Sequence, residues 1–357
     1  MRRILQGILV IDLTHLVAGP VCTRMLADLG ADVITIHRIP GSRAERPPRV
    51  EQTAAGKRSL AVDLRHPRGL EIVHALAREA DILVENQRPG SLGVLGLDYA
   101  TLSKENPRLV YAAISGFGAS NSRTAFGATA HAEAGFLWLQ QQATGAAEPF
   151  APGLQVADLI TGMNAFSGIL AALYDRERTG RGQLVDVSLM DSQFAMLSEI
   201  AGHHLNAPPG TWNVFRHPIH RSRDGRHFTI NVAWPHNWAR LARALGHPEM
   251  QDNRPEAPDT YIGRWVAELD ADDIARRLDS ERAPYGMSCN TSSATRSSSP
   301  RRMPRRPGRP VAPENPRAMS SSRCWASPQA KCRNSSRVVP WPRLDALHSA
   351  SSSAFVW

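Results

Sequence analysis

The chain has 357 residues, enough to bury a sizeable core and, at roughly 100 to 200 residues per domain, to form two domains. Its formal charge of +9 is unevenly placed: residues 284–357 hold 12 of the 42 Lys and Arg but 2 of the 33 Asp and Glu, leaving 30 against 31 in residues 1–283. With a net charge of −1 the body loses the main argument for a nucleic-acid partner. The four cysteines, Cys22, Cys289, Cys324 and Cys332, form no CxxC pair and no cluster at zinc-ligand spacing, so neither a disulfide framework nor a structural metal is expected. Gln6, Asp12 and His15 interrupt the apolar start, and no uninterrupted apolar run reaches about 18 residues. A cytoplasmic protein with no membrane partner is the expectation.

Gly7 to Leu13 is a short β-branched run that reads as a buried strand, followed by a turn at Ala18-Gly19-Pro20, a helix ending at Gly30, and a strand from Ala31 to Ile36. A helix from Pro67 to Ala80 and strands at Asp81 to Glu85 and Leu109 to Ser115 continue the alternation. The pattern predicts an α/β fold, a Rossmann-like doubly wound large domain whose ligands sit outside the carboxyl ends of the strands, at Thr14 to Gly19, His37-Arg38 and Glu85 to Gly90. Asp158 then precedes a long apolar helix closed by Gly180, and Leu184 to Leu189 is one more strand. Past the break at Pro208-Pro209-Gly210, a turn at Asp224-Gly225 leads into an alternating strand and a helix from Trp238 to Leu245. The expected domains are 1–205, a linker at 206–218, a smaller α+β domain at 219–283, and an Arg/Ser/Pro-rich tail at 284–357.

The turn after the first strand reads THLVAGPVCTR, without the glycine spacing of a dinucleotide site or a phosphate-cradling loop, and no GxSxG nucleophile elbow is present. Asp158 by itself reads as a helix N-cap, where the helix dipole and free N–H groups would favour the ionised carboxylate that attacks a carbonyl. Arg38 and Arg65 follow strand ends where cations could meet phosphates, although each alone reads as a surface arginine. His131, alone in its segment, reads as a packed or capping residue, and Trp138, Trp234 and Trp238 as core or interface aromatics.

Taken in order, GILVIDLTHLVAGPVCTRMLADLGADVITIHR, GKRSLAVDLRHPRG, DILVENQRPGSLGVLGLDY, NPRLVYAAISGFG and VADLITGMNAFSGILAALYDRERTGRGQLVDVSLMD resemble the class III CoA-transferases, the family of formyl-CoA transferase and α-methylacyl-CoA racemase, over about residues 7–283. The resemblance implies a Rossmann-like large domain, a small domain, and an interlocked homodimer. It implies transfer of CoA from an acyl-CoA to a carboxylic acid with no permanently bound cofactor and no metal, and a nucleophilic aspartate at Asp158. Positions matching the CoA-contacting segments are Val17, Ala18, Arg38, Val62, Leu64, Arg65, Asn86 and Gln87. Val17, Asn86-Gln87 and Val94 depart from the usual residues, so substrate identity does not carry over. The racemase branch pairs a histidine with the aspartate; His131 lies near that position, in an Ala130-His131-Ala132 context, and this is the alternative reading. An inactive family remnant is a third, resting on the C-terminus.

That C-terminus, with 16 Ser, 10 Pro and 11 Arg in residues 284–357, has the composition of a segment unable to bury a core, and a poorly ordered tail is expected. Read with each codon's third base joined to the next two, Cys324-Trp325 must encode Leu and Trp325-Ala326 must encode Gly; permitted codons extend this to Leu-Gly-Glu-Pro-Thr-Gly-Glu-Val, close to an ending familiar in the resembled family. A frame-shift near Met287 is the expectation. Resequencing codons 280–290 checks it: an intact frame, together with a protease-resistant tail, would overturn it.

Overall fold

A computed structural model describes residues 3–39, 52–206, 208, 218–232, 234–288 and the backbone of 355–356. The chain divides into two compact units, Met1–Phe215 with Ser349–Trp357, and Arg216–His348. Most of the expected linker and most of the tail lie outside the described residues.

Unit 1 is built on a parallel sheet. Its strands are β1 (Leu9–Leu13), β2 (Asp32–His37), β3 (Arg58–Ala61), β4 (Ile82–Glu85), β5 (Val110–Ser115) and β6 (Leu184–Ser188), with Phe355–Val356 as a two-residue β10 beside β6. The order is β10-β6-β5-β4-β1-β2-β3. Chain direction across the sheet reverses between β1 and β4, so the loops after these two strands diverge and leave a crevice there. Every strand expected from the β-branched runs is present within one or two residues. β3, whose four residues are half-buried or exposed, has no apolar run and gave no strand signal of its own.

One face carries α1 (Ala18–Asp28) and α6 (Val156–Thr179); the other carries α2 (Pro67–Glu79) and α3 (Tyr99–Glu105). Strand residues alternate between the faces. Val10, Ile82, Val84, Val110 and Ala112 join Cys22, Leu26 and Ile169 on the first, and Ile11, Leu83 and Tyr111 join Val73 and Leu102 on the second. Short helices α4 (Gly127–Glu133) and α5 (Phe136–Thr144) precede α6, while α7 (Leu189–Met196) and α8 (Ser198–Asn206) follow β6.

α6 is the longest element, 24 residues or about 36 Å at 1.5 Å per residue. Its buried face is mostly small, with Ala157, Gly162, Ala165, Gly168 and Ala172, which lets its backbone approach its neighbours closely. At the far end, buried Arg176 forms an ion pair with Asp81 at 3.0 Å and donates to the carbonyl of Arg108, and Gly180 takes the left-handed conformation (φ 73°) that ends the helix. By length and hydropathy α6 could also cross a membrane; its buried face against α1 and the sheet is that of a core helix.

Unit 2 has an antiparallel sheet of β7 (His220–Arg221), β8 (His227–Ile230) and β9 (Tyr285–Met287), in the order β7-β8-β9. Helices α9 (Pro235–Ala244), α10 (Pro258–Glu268) and α11 (Ala271–Ser280) pack with it around Phe228, Trp238, Leu241, Ile262 and Ile274. β9 carries unit 2 past residue 283, because Tyr285 and Gly286 register against Ile230 and Thr229. Of the three tryptophans read as core or interface aromatics, Trp238 is buried in the core, while Trp138 and Trp234 are exposed.

α6 approaches the backbone of α1 closely at Gly162, where a Cβ would lie 2.5 Å from the carbonyl oxygen of Ala18 and 3.1 Å from Val21. Gly162→Ala is expected to destabilise unit 1 by about 1–3 kcal/mol even though alanine is the better helix former, because backbone and not a flexible side chain must move. A urea midpoint at or above that of the parent protein would contradict this.

Candidate active site

The crevice beside β1 and β4 holds a cavity of about 480 Å³ lined by the loops after β1, β2, β4 and β5, the segment before α4, and the first turn of α6. Asp158, Ala18, Arg38, Asn86 and Gln87 line it together, so five residues singled out from the sequence meet in one place. The others do not line it. Val17 is the uncapped N-cap of α1, Val62 and Leu64 pack into the core under α2, and Arg65 is exposed in a turn closed by Asp63.

His131 also lies outside the cavity lining. It is buried, and its Nε2 accepts the backbone N–H of Ala157 at 3.0 Å. Its sequence reading as a capping residue therefore describes it well. This bond also explains where α6 begins: an N–H that a cap residue would normally satisfy is taken by a side chain from α4, and the helix starts at Val156. Asp158 is therefore the third residue of the helix and not its N-cap, which is Gln155. The expected stabilisation of its ionised form is also reversed. Burial raises the Asp158 pKa, outweighing the backbone N–H that lowers it.

Asn86 and Gln87 shape the crevice by tying its two walls together. The His15 N–H donates to Oδ1 of Asn86 at 2.9 Å, Nδ2 of Asn86 donates to the His15 carbonyl at 2.7 Å, and Nε2 of Gln87 donates to the Leu13 carbonyl at 2.8 Å. Between them Leu16 is held at φ 67°, 59 % exposed. His15 faces the cavity with its pKa lowered, first by burial and then by the nearby Arg38 charge.

Behind the β1 loop lies a buried polar hub. Asp12 accepts hydrogen bonds from the hydroxyls of Thr14, Thr23 (2.7 Å) and Thr35 (3.1 Å) and pairs with Lys57 at 3.1 Å. Lys57 also donates to the Pro20 carbonyl at 3.0 Å, which joins β1, α1, β2 and the approach to β3. Burial lowers the Lys57 pKa against the pull of Asp12.

The end of β5 and the segment after it were not singled out from the sequence, yet Ser115, Gly116, Arg123 and Phe126 line the cavity. The rule that places ligands at strand ends would have found them had it been applied to β5 as well. Arg123 sits 4.6 Å over the Phe117 ring and donates to Glu133 at 2.8 Å. Arg38 and Arg88 make no ion pair among the described residues. At the end of β4 the half-buried Glu85 carboxyl is pushed up to about 7 by desolvation. Its stabilising contribution is complete below the unfolded carboxyl pKa and is lost as pH rises through about 7.

A separate cavity of about 420 Å³ in unit 2, lined by Pro218, Ile230, Pro284 and Tyr285 among others, brings no acid, base or cation together.

Comparison with known proteins bears on this site. The mouse succinyl-CoA:glutarate CoA-transferase is 33 % identical over 270 residues, covering 70 % of this chain and 61 % of the relative. Human α-methylacyl-CoA racemase is 35 % identical over 256 residues, covering 68 % and 65 %. A CAIB/BAIF family protein from Brucella suis superposes with a TM-score of 0.68 at 28 % identity, covering 82 % of this chain and 85 % of that one. The chain thus spans a little under two thirds of the length of these two curated relatives. The profile described as CoA-transferase family III matches residues 5–304, which carry the parallel sheet, both helix N-termini at the crevice and Asp158, and the chain belongs to that family.

Proposed function

We propose that the protein transfers CoA from an acyl-CoA to a carboxylic acid, with Asp158 as the covalent nucleophile. The observation that carries this reading is a single half-buried carboxylate at a helix N-terminus, facing a cavity whose other wall presents Arg38 and Arg88. In the proposed cycle the Asp158 carboxylate attacks the thioester carbonyl, giving a mixed anhydride and the CoA thiolate. The thiolate attacks the aspartyl carbonyl, releasing the donor acid and leaving an aspartyl-CoA thioester. The acceptor carboxylate then attacks this thioester, and the thiolate returns to the new acyl group. One thioester replaces another, so the cycle needs no ATP.

Arg38 and Arg88 are suited to the phosphates of CoA, and the uncapped first turn of α1 at Ala18 adds N–H donors on the same side. Several relatives are named for pairing succinyl-CoA with glutarate, L-malate or mesaconate. Their names support a small dicarboxylic acid as the acceptor here. The exposed apolar residues Leu159, Met163 and Tyr174 on α6 support burial against a second copy, as the proposed homodimer requires.

Treating the protein with succinyl-CoA and trapping with hydroxylamine should label Asp158, and Asp158→Ala should form no adduct. Because burial raises the pKa of this carboxyl, adduct formation should fall on the acid side at a pH above the ordinary aspartate range. A label on another residue, or an adduct on Asp158→Ala, would overturn the assignment.

The racemase relative keeps a second reading in play, proton exchange α to the thioester by an aspartate and a histidine. Against it, the Nε2 of His131 is engaged by the Ala157 N–H and does not line the cavity. An α-methylacyl-CoA incubated in heavy water should therefore gain no deuterium. Enzyme-dependent exchange, slowed about a hundredfold or more by His131→Ala, would reverse the ranking.

A further inference from the structure

Two residues of α4, four apart and thus on one face of the helix, meet the first turn of α6 at Asp158. His131 accepts the N–H of Ala157, the residue immediately before Asp158, at 3.0 Å. A ring nitrogen accepting that bond carries no proton. At Gly127 a Cβ would lie 2.1 Å from Oδ2 of Asp158, 3.3 Å from its Cγ and 3.2 Å from Oε1 of Gln155.

Backbone conformation does not call for glycine at 127. It is not among the residues with positive φ, and alanine forms helix better at such a position. What the missing side chain leaves is the volume in which the carboxylate sits. The contrast with Gly162 is instructive, since there the obstructing atom is a backbone carbonyl, while here it is the movable end of a side chain. A methyl group at 127 would meet only side-chain atoms, so turning the carboxylate away would make room for it without moving the backbone.

We propose that α4 is the positioning element for Asp158: Gly127 leaves the space that one carboxylate oxygen fills, and His131, as a neutral imidazole, fixes the turn of backbone from which the side chain projects. This rests on the reading of Asp158 as nucleophile. Both are positioning residues, since neither lines the cavity. Burial lowers the His131 pKa, which favours the neutral ring that the bond needs. The Arg38 side of the crevice is untouched by either residue, so the effect falls on the chemical step and spares CoA binding.

The test compares the parent protein with Gly127→Ala, His131→Gln and His131→Leu. Glutamine keeps an acceptor for the Ala157 N–H and leucine does not. Each protein is measured for thermal midpoint, CoA affinity by calorimetry, and kcat with succinyl-CoA and glutarate. The titration of the Asp158 carboxyl, followed by carbon NMR and assigned with Asp158→Asn, is a fourth measurement that needs no turnover. Gly127→Ala should melt no lower than the parent and bind CoA equally, lose about a hundredfold in kcat, and show a displaced Asp158 titration. His131→Gln should stay within about threefold of the parent kcat, and His131→Leu should lose about tenfold or more at unchanged CoA affinity.

Parent-like kcat and titration in Gly127→Ala would overturn the proposal. So would His131→Gln as impaired as His131→Leu, which would make the imidazole itself a chemical participant. If Gly127→Ala does not fold, the His131 pair decides. If the parent protein forms no Asp158 adduct, the nucleophile reading fails on that ground, and the NMR titrations still decide whether α4 positions the carboxylate.

Discussion

The approach of α6 to α1 at Gly162 sets the geometry on which the crevice depends. Ala18, whose carbonyl meets that glycine, is the first residue of α1 and also lines the cavity, while Asp158 lies one turn earlier on α6. A side chain at 162 would push apart the two helix N-termini that border the site. The far end of α6 is held independently by the buried Arg176 and Asp81, so the helix is fixed along the full depth of the sheet. A residue near its first turn thereby inherits the rigidity of the core, which a loop could not supply.

Electrostatics divide the crevice into two kinds of wall. Behind the β1 loop, the Asp12 carboxylate is surrounded by three threonine hydroxyls and Lys57, a network whose members satisfy one another and which locks strands and helix together. On the solvent side Arg38 and Arg88 have no acidic partner among the described residues and keep their charge available. Asp158 stands between these regimes. It is buried enough to raise its pKa and exposed enough to be reached. For a carboxylate nucleophile that combination matters, because partial desolvation strengthens the attacking oxygen while an adjacent cationic rim favours an anionic substrate.

Much of the large unit was legible in the sequence because its strands are buried on both faces. Continuous runs such as Ile82 to Val84 and Val110 to Ala112 leave little ambiguity, and the glycine stops at Gly30 and Gly180 can be read directly. The site was less legible where position depends on partners distant in the chain. Asp158 was read as a cap because nothing local reveals that His131, 27 residues earlier, supplies the acceptor and moves the helix start two residues upstream of the carboxylate. Its ionisation was misjudged for the same reason: the helix dipole is a local feature, whereas burial is a tertiary one. Asn86 and Gln87 were picked for ligand contact, yet their amides brace the β1 loop, a role that requires knowing that β1 and β4 are neighbours. Gly127 carries no sequence signal beyond being a glycine, since its importance lies in an empty volume beside another side chain.

Leu16 carries a further consequence. An L-residue in the left-handed region costs about 1–2 kcal/mol, and this one also holds an apolar side chain largely in water. Domains are held together by a margin of about 5–15 kcal/mol, so such a residue is where a stability-guided redesign would look first, with glycine or asparagine as the obvious replacement. Relaxing it would loosen the segment between His15 and Ala18, which the Asn86 clamp holds open against the cavity. The conformational defect and the preorganised loop are one feature, and thermostabilising this chain is better begun on the surface of α2 or α11 than at residue 16.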